Sequence, residues 1–427
     1  MPAFGALVAE PLFLLADSAV VGRLGTAPLA GLGIAGSVLA SAIGVFVFLA
    51  YGTTAAVARR LGAGDRRSAL AQGVDGVWLA AGLGVAVAVF GWLLAPGLVA
   101  SFGGSAEVSA QAVTYLRWSV PGLPAMLVVL AASGVLRGLQ DTRTPLVVAA
   151  AGAAANVVLS VVLVHGAGLG IAGSAIGTVL AQLGMAAAFL VVVRRAAGAA
   201  GAPLRPDLPG IRRVGRVGAP LLVRTLTLRA ALLVTTYVAV AQGDEPLAAH
   251  QVAMAVWGFL ALALDAVAIA GQALTGRALG AGDAVAARAA TDRMLVWGVG
   301  AGVVAGAVVL ATRGLVAPLF SPDPGVQASL AAALVVVALA QPLAGWVFVL
   351  DGVLIGAGDG RYLAWAGLLT LIAYLPLAAV VLLAPVEGTA GLVWLWVAFS
   401  GGFMAVRAVT LGLRVRGDAW VVLGTQR

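Results

Sequence analysis

Long apolar blocks follow one another along this chain, separated by short segments that hold most of its charges. A helix that crosses a bilayer needs about 20 mainly apolar residues, and twelve blocks meet that need. The first six lie near 4–22, 31–54, 72–94, 114–136, 145–164 and 170–193. The second six lie near 217–240, 247–274, 290–311, 328–354, 362–383 and 389–412. Most are too long for strands and lack the period-2 alternation of an outer-membrane barrel. In lipid, only a helix pairs its backbone groups within one segment without closing a barrel. The pattern predicts an all-α integral membrane protein with twelve transmembrane helices, for which the lipid bilayer is the first partner.

Composition removes the soluble alternatives. Hydrophobic residues make up 62% of the 427 and charged ones 10%, against roughly 25% charged in a soluble domain. A net charge of +8 would suggest nucleic acid in a soluble protein, but so few charges cannot coat a globule, and no nucleic-acid partner is expected. There is no cysteine, and the two histidines, His165 and His250, are far apart in sequence. Thiolate sites and cysteine nucleophiles are thereby excluded, and no metal site or cofactor is expected. All 25 basic residues are arginine. Eighteen of them fall in the even-to-odd loops and the C-terminal tail, and only Arg23 and Arg313 in the opposite loops. The positive-inside rule then puts both termini in the cytoplasm, in a cell inner (plasma) membrane. The first apolar block starts at Met1 with no basic lead and no cleavage site, so a signal peptide is disfavoured, and the true start is expected upstream.

The halves repeat at a constant offset of 218. Leu61-Gly62-Ala63-Gly64-Asp65 returns as Leu279-Gly280-Ala281-Gly282-Asp283, Gly25 and Pro28 as Gly243 and Pro246, and Pro124 as Pro342. Gly138, Asp141 and Arg143 return as Gly356, Asp359 and Arg361. Six spans per half make the repeats parallel, related by an axis along the membrane normal. The expected units are a lobe over 1–193, a cytoplasmic linker over 194–216, a lobe over 217–412 and a cytoplasmic tail over 413–427. The Leu-Gly-Ala-Gly-Asp segments read as loops whose glycines permit positive φ and whose aspartates cap the next helix. Gly31-Leu32-Gly33-Ile34-Ala35-Gly36 and its twin at 168–173 lack the strand and the acid that a dinucleotide fingerprint needs. They read instead as small-residue helix contacts.

Ionisable side chains at membrane depth are costly and are usually kept for function. The first block carries Glu10 and Asp17, nearly two turns apart and so on one face, about 10 Å apart along the axis. Between them Pro11 marks a kink that frees a backbone carbonyl. Asn156 and Ser160 share a face of the fifth span, and Thr178 follows in the sixth. In the second half Arg224, Arg229, Asp265 and Asp351 lie in or near spans, where an arginine paired with either aspartate avoids a lone buried charge. Asp17 has no acidic counterpart, since the residue 218 positions on is Thr235. The first half is thus expected to hold the ion coupling. Phe13, Phe46, Phe48, Tyr51 and Trp78 would allow a greasy cavity there, although a place facing lipid is the commoner role for any one of them.

Residues 9–26 (AEPLFLLADSAVVGRLGT), 248–283 and 348–363 (FVLDGVLIGAGDGRYL) resemble the multidrug and toxic compound extrusion (MATE) family, specifically its DinF-type branch. The resemblance covers essentially the whole chain. It implies a two-lobed, V-shaped transporter, a monomer and not an enzyme, that exports cationic or amphipathic organic compounds in exchange for H⁺ or Na⁺. It also implies that Asp17 is the coupling aspartate, with Asn156 and Thr178 in the surrounding site and Na⁺ as an alternative ligand of these three. Ser160 stands where the family carries a second aspartate, which weakens the case for Na⁺; apart from the resemblance, Glu10 is a candidate to replace that carboxylate, because it shares a face with Asp17. One charge crossing the membrane potential supplies about 2.3 kcal/mol per 100 mV, enough for one coupling ion to sustain a useful gradient. The alternative is a lipid-linked precursor flippase of similar two-lobe build. It needs a cationic cavity, for which only Arg224 and Arg229 are candidates.

Overall fold

The computed structural model describes residue 5, residues 16–384 and residues 386–425. Two compact units divide the chain, Met1–Gly218 and Ala219–Arg427. Among the described residues eleven helical segments are long and apolar enough to cross a membrane. The expected first span, 4–22, lies mostly outside them, as do Glu10, Pro11 and Phe13; its described end, α1 (16–22), is helical and carries Asp17.

The first unit continues through α2 (Thr26–Phe46), α3 (Phe48–Gly62), α4 (Arg66–Ala100), α5 (Ala106–Ser119), α6 (Leu123–Gly138), α7 (Arg143–Val161) and α8 (Gly170–Ala199). A single break at Val47 divides the second expected span into α2 and α3, and a 3₁₀ turn at Val120–Gly122 joins α5 to α6. The second unit comprises α9 (Leu208–Val240), α10 (Asp244–Gly280), α11 (Ala284–Phe320), α12 (Pro324–Gly356), α13 (Gly360–Leu383), α14 (Gly388–Trp396) and α15 (Met404–Arg416), with the first turns of α9 packed in the first unit. A π-helical segment, Val397–Phe403, connects α14 to α15.

Several helices run past the apolar blocks, because arginine and alanine continue a helix readily beyond the hydrocarbon. The expected linker 194–216 is the clearest difference. Helix α8 continues to Ala199 and α9 starts at Leu208, so only 200–207 are non-helical. Asp207 sets that start by accepting the Gly210 N–H at 3.0 Å, with Pro209 in the first turn, where its missing N–H costs nothing.

The duplication is legible in the backbone. Gly64 and Gly282 take φ of 80° and 78°, and Gly25 and Gly243 take 125° and 102°. Gln140, at 66°, matches Gly358 at 71° across the same offset. Asp65 accepts the Ser68 N–H at 2.9 Å and Asp283 the Ala286 N–H at 2.8 Å, each capping its helix. The Ser68 donation holds the Asp65 carboxyl below the usual carboxylate range.

Helix crossings repeat as well. A Cβ at Gly302 in α11 would meet the Gln341 carbonyl and stand 2.9 Å from the Pro342 Cα of α12. Its counterpart Gly84 in α4 faces Pro124 of α6. Gly298, Gly302 and Gly306, spaced by four, form one small-residue face that lets α11 and α12 touch backbone to backbone. The first unit's core gathers Val21, Leu32, Val99, Tyr115, Leu116 and Ile171. The second is aromatic: Phe399 packs on Trp257, Tyr374, Trp396 and Phe403, with centroids 5.2 to 6.1 Å apart.

Candidate functional site

Asp17, 2% exposed, sits in the first unit, where α1 meets α5, α7 and α8. Its Oδ1 accepts the Ser160 hydroxyl at 2.9 Å. Its Oδ2 accepts the Thr178 hydroxyl at 3.0 Å and, more loosely, the Tyr115 phenol at 3.4 Å. Thr178 in turn accepts the Asn156 amide N–H at 2.8 Å. The fold therefore brings Asp17, Asn156, Ser160 and Thr178 together.

Local sequence explains the convergence. Asn156 and Ser160 are one turn apart on α7, facing α8. Gly177 has no side chain to hold the helices apart: a Cβ there would stand 3.0 Å from the Ser160 backbone nitrogen. That close approach sets Ser160 and Asn156 beside Thr178. Buried polar capacity is left over, since the Asn156 Oδ1 has no hydrogen-bond partner among the described residues, and the Ser174 hydroxyl lies beside the Asp17 carboxylate.

The carboxylate and two of its hydroxyl partners, those of Tyr115 and Thr178, border a cavity of about 460 Å³ within this unit. Asp17, Ser18, Tyr115 and Thr178 supply part of its wall, and Leu32, Leu39, Ile43, Met126, Leu130 and Met185 much of the rest. Arg137 and Gln182 also line it. Of the candidate aromatics, Phe46, Phe48, Tyr51 and Trp78 do not line it. Phe46 and Phe48 pack on each other at 6.2 Å, and Trp78 donates its indole N–H to the Leu204 carbonyl at 3.1 Å. Among the described residues the rings that line the cavity are Tyr115 and Phe189, because α5 and α8 turn those positions inward.

Tyr115 and Ser174 were not singled out by the sequence. Both left a trace: a phenol in a span needs a hydrogen-bond partner, and Ser174 precedes Thr178 by one turn.

The second unit has no acid at the equivalent place. Thr235 and Tyr374, which match Asp17 and Asn156 across the offset, share a hydrogen bond of 2.6 Å. Its buried charge lies elsewhere. Asp351 pairs through Oδ2 with Arg224 and through Oδ1 with Arg407, so one carboxylate ties α9, α12 and α15. Arg224 is the expected partner and Arg407 an additional one; the signal for it was an arginine inside the last span. Arg229 is exposed and Asp265 half-buried. No group of three or more His, Cys, Asp or Glu side chains that could hold a metal occurs among the described residues.

Comparison with known proteins follows the same outline. The MatE family model matches residues 2–162 and again 220–380, one copy per half. Protein DETOXIFICATION 44, chloroplastic, of Arabidopsis thaliana is 30% identical over 99% of this chain and 82% of its own length. DNA damage-inducible protein F of Escherichia coli is 28% identical over 84% of the chain and 79% of its own length. Among solved structures, the bent form of the Vibrio cholerae MATE transporter VcmN superposes with a TM-score of 0.85 at 21% identity, covering 98% of this chain and 96% of that one. Members of this family are transporters and not enzymes. A family match that recurs in both halves of a duplicated helical chain places it in the MATE family of multi-pass membrane transporters.

Proposed function

We propose that the chain is a secondary active antiporter that exports cationic or amphipathic organic compounds in exchange for H⁺, by alternating access. The observation that carries this reading is the Asp17 carboxylate at the cavity wall, held among the described residues by three neutral hydroxyls. A hydroxyl serves as donor or acceptor. Ser160, Thr178 and Tyr115 can therefore donate to the charged carboxylate, and one of them can turn to accept from the protonated acid. Both states stay hydrogen-bonded, so the cost of changing charge is kept small. A proton on Asp17 removes the negative charge that a cationic substrate seeks in the cavity, and its loss restores that charge. Uptake of one and binding of the other thus exclude each other.

Asp17 is the one carboxylate at the cavity wall among the described residues, and Ser160 in place of a second acid supports H⁺ over Na⁺. The Asn156 oxygen, without a hydrogen-bond partner among the described residues, supports Na⁺. With Asp17 and Thr178 it offers three oxygens to that ion. The arginine-rich loops are assigned to the cytoplasm, and both termini with them, in a cell inner (plasma) membrane.

Dye efflux from proteoliposomes under an imposed ΔpH, an imposed ΔNa⁺ or neither tests the reading. Efflux that follows ΔpH in the natural protein and is lost in Asp17→Asn, with that variant still folded in the membrane, is the expected result. Full efflux by Asp17→Asn would sink the assignment.

A further inference from the structure

Helix α9 starts at Leu208, nine residues before the apolar block near 217. Those residues form a surface of their own. The exposed positions are 208, 209, 212, 213, 216 and 217, the spacing of a single helix face. Leu208, Arg212 and Arg216 form one row along it, and Pro209, Arg213 and Val217 the next. Three guanidinium groups thus share a face whose two ends are apolar, with Leu208 65% and Val217 43% exposed. The opposite side, Gly210, Ile211 and Gly218, turns inward.

The surroundings add to the charge. Arg194 and Arg195 near the end of α8 and Arg205 in the connector are all exposed, and Leu204 beside them is 41% exposed. Six arginines and one acid thus lie within 194–216. That acid, Asp207, is already committed to the Gly210 N–H. Asp75 lies within electrostatic reach of Arg213, which leaves Arg212 and Arg216 facing outward.

Topology signalling requires positive charge in this loop but no common face, no apolar flanks and no helix. We infer that this face binds the phosphate groups of anionic lipids at the cytoplasmic surface. Val217 leads into the apolar block, and the arginines within two turns outside it clasp the phosphates. A guanidinium presents two parallel N–H donors to a phosphate where an ammonium presents a point charge. Basic residues just outside a span draw anionic headgroups, each worth about a fivefold change in affinity. The inference rests on the cytoplasmic assignment of this loop and not on the coupling ion or the substrate.

The full chain, reconstituted with equal phosphatidylglycerol and phosphatidylcholine and then gently delipidated, is assayed for retained lipid by mass spectrometry. The natural protein is expected to retain phosphatidylglycerol in excess. Single Arg212→Gln and Arg216→Gln variants, which keep 24 of the 25 arginines, lose about fivefold of that excess each. Arg→Lys variants lose less. Variants that retain as much phosphatidylglycerol as the natural protein overturn the inference. So does displacement of the lipid by inorganic phosphate at constant ionic strength, which makes a free anion the ligand. The chain has no cysteine, so a single one placed at the exposed Pro203 reports the side of the loop, and labelling from the outside also overturns it. Retention is read without substrate or ion gradient, so a failure of proton-driven efflux leaves this result standing.

Discussion

Replacing Asp351 with asparagine changes one atom of side-chain shape and one unit of charge in the second unit. The Asp351 side chain is 6% exposed, and its partners Arg407 and Arg224 are 8% and 14% exposed. The carboxylate gives one oxygen to each guanidinium. An amide supplies one acceptor and turns its NH₂ toward the other arginine, so two cations remain buried with no anion between them. Removing one member of a buried ionic group costs about 3–5 kcal/mol. The slight exposure of both arginines places this case near the lower end, about 3 kcal/mol. For a unit of this size that is on the order of 6–12 °C in melting temperature. Arg407→Met leaves the Arg224–Asp351 pair neutral and should cost less. The triple replacement Arg224→Met, Asp351→Leu, Arg407→Met removes every charge and should recover much of the loss, because an apolar trio avoids desolvation altogether. Thermal unfolding in detergent, followed by tryptophan fluorescence, reads all three, since Trp257 and Trp396 lie in the same unit's core. Melting of Asp351→Asn within about 2 °C of the natural protein, a shift under about 1 kcal/mol, would refute the reasoning. A triple variant less stable than the single one would refute it too.

Ser160→Asp adds a second carboxylate to the Asp17 cluster, and Na⁺-dependent efflux should rise; an unchanged Na⁺ response in the gradient assay would count against the part given to Ser160. Gly302→Leu sets a side chain against the backbone of α12, where no rotamer relieves the contact. It should cost about 3 kcal/mol, whereas Gly300→Leu, with nothing within 4 Å of its Cβ, should be nearly neutral in the same melting experiment. Gly64→Ala meets no neighbour either, so its cost should come from the positive φ alone, about 1 kcal/mol, and Gly282→Ala should match it; unequal losses would break the equivalence of the two loops.

The sequence by itself determined eleven described spans, the duplication and the punctuation between helices. These are local or repeated properties. A run of apolar residues in lipid has no alternative to a helix, and a glycine needed at positive φ in one half is needed again 218 residues later. It also selected Asp17, because a carboxylate in such a run is conspicuous. Which faces of the helices meet was decided only by tertiary structure. A helix apolar on every side carries no amphipathic phase, so nothing along the chain pointed Tyr115 and Phe189 into the cavity and Phe46 and Trp78 elsewhere. Arg407 was visible as a charge out of place, yet its reach to Asp351 depends on the packing of α15 against α12. The arginine face of α9 was likewise hidden within what read as a linker. Its spacing means nothing until the backbone there is known to be helical.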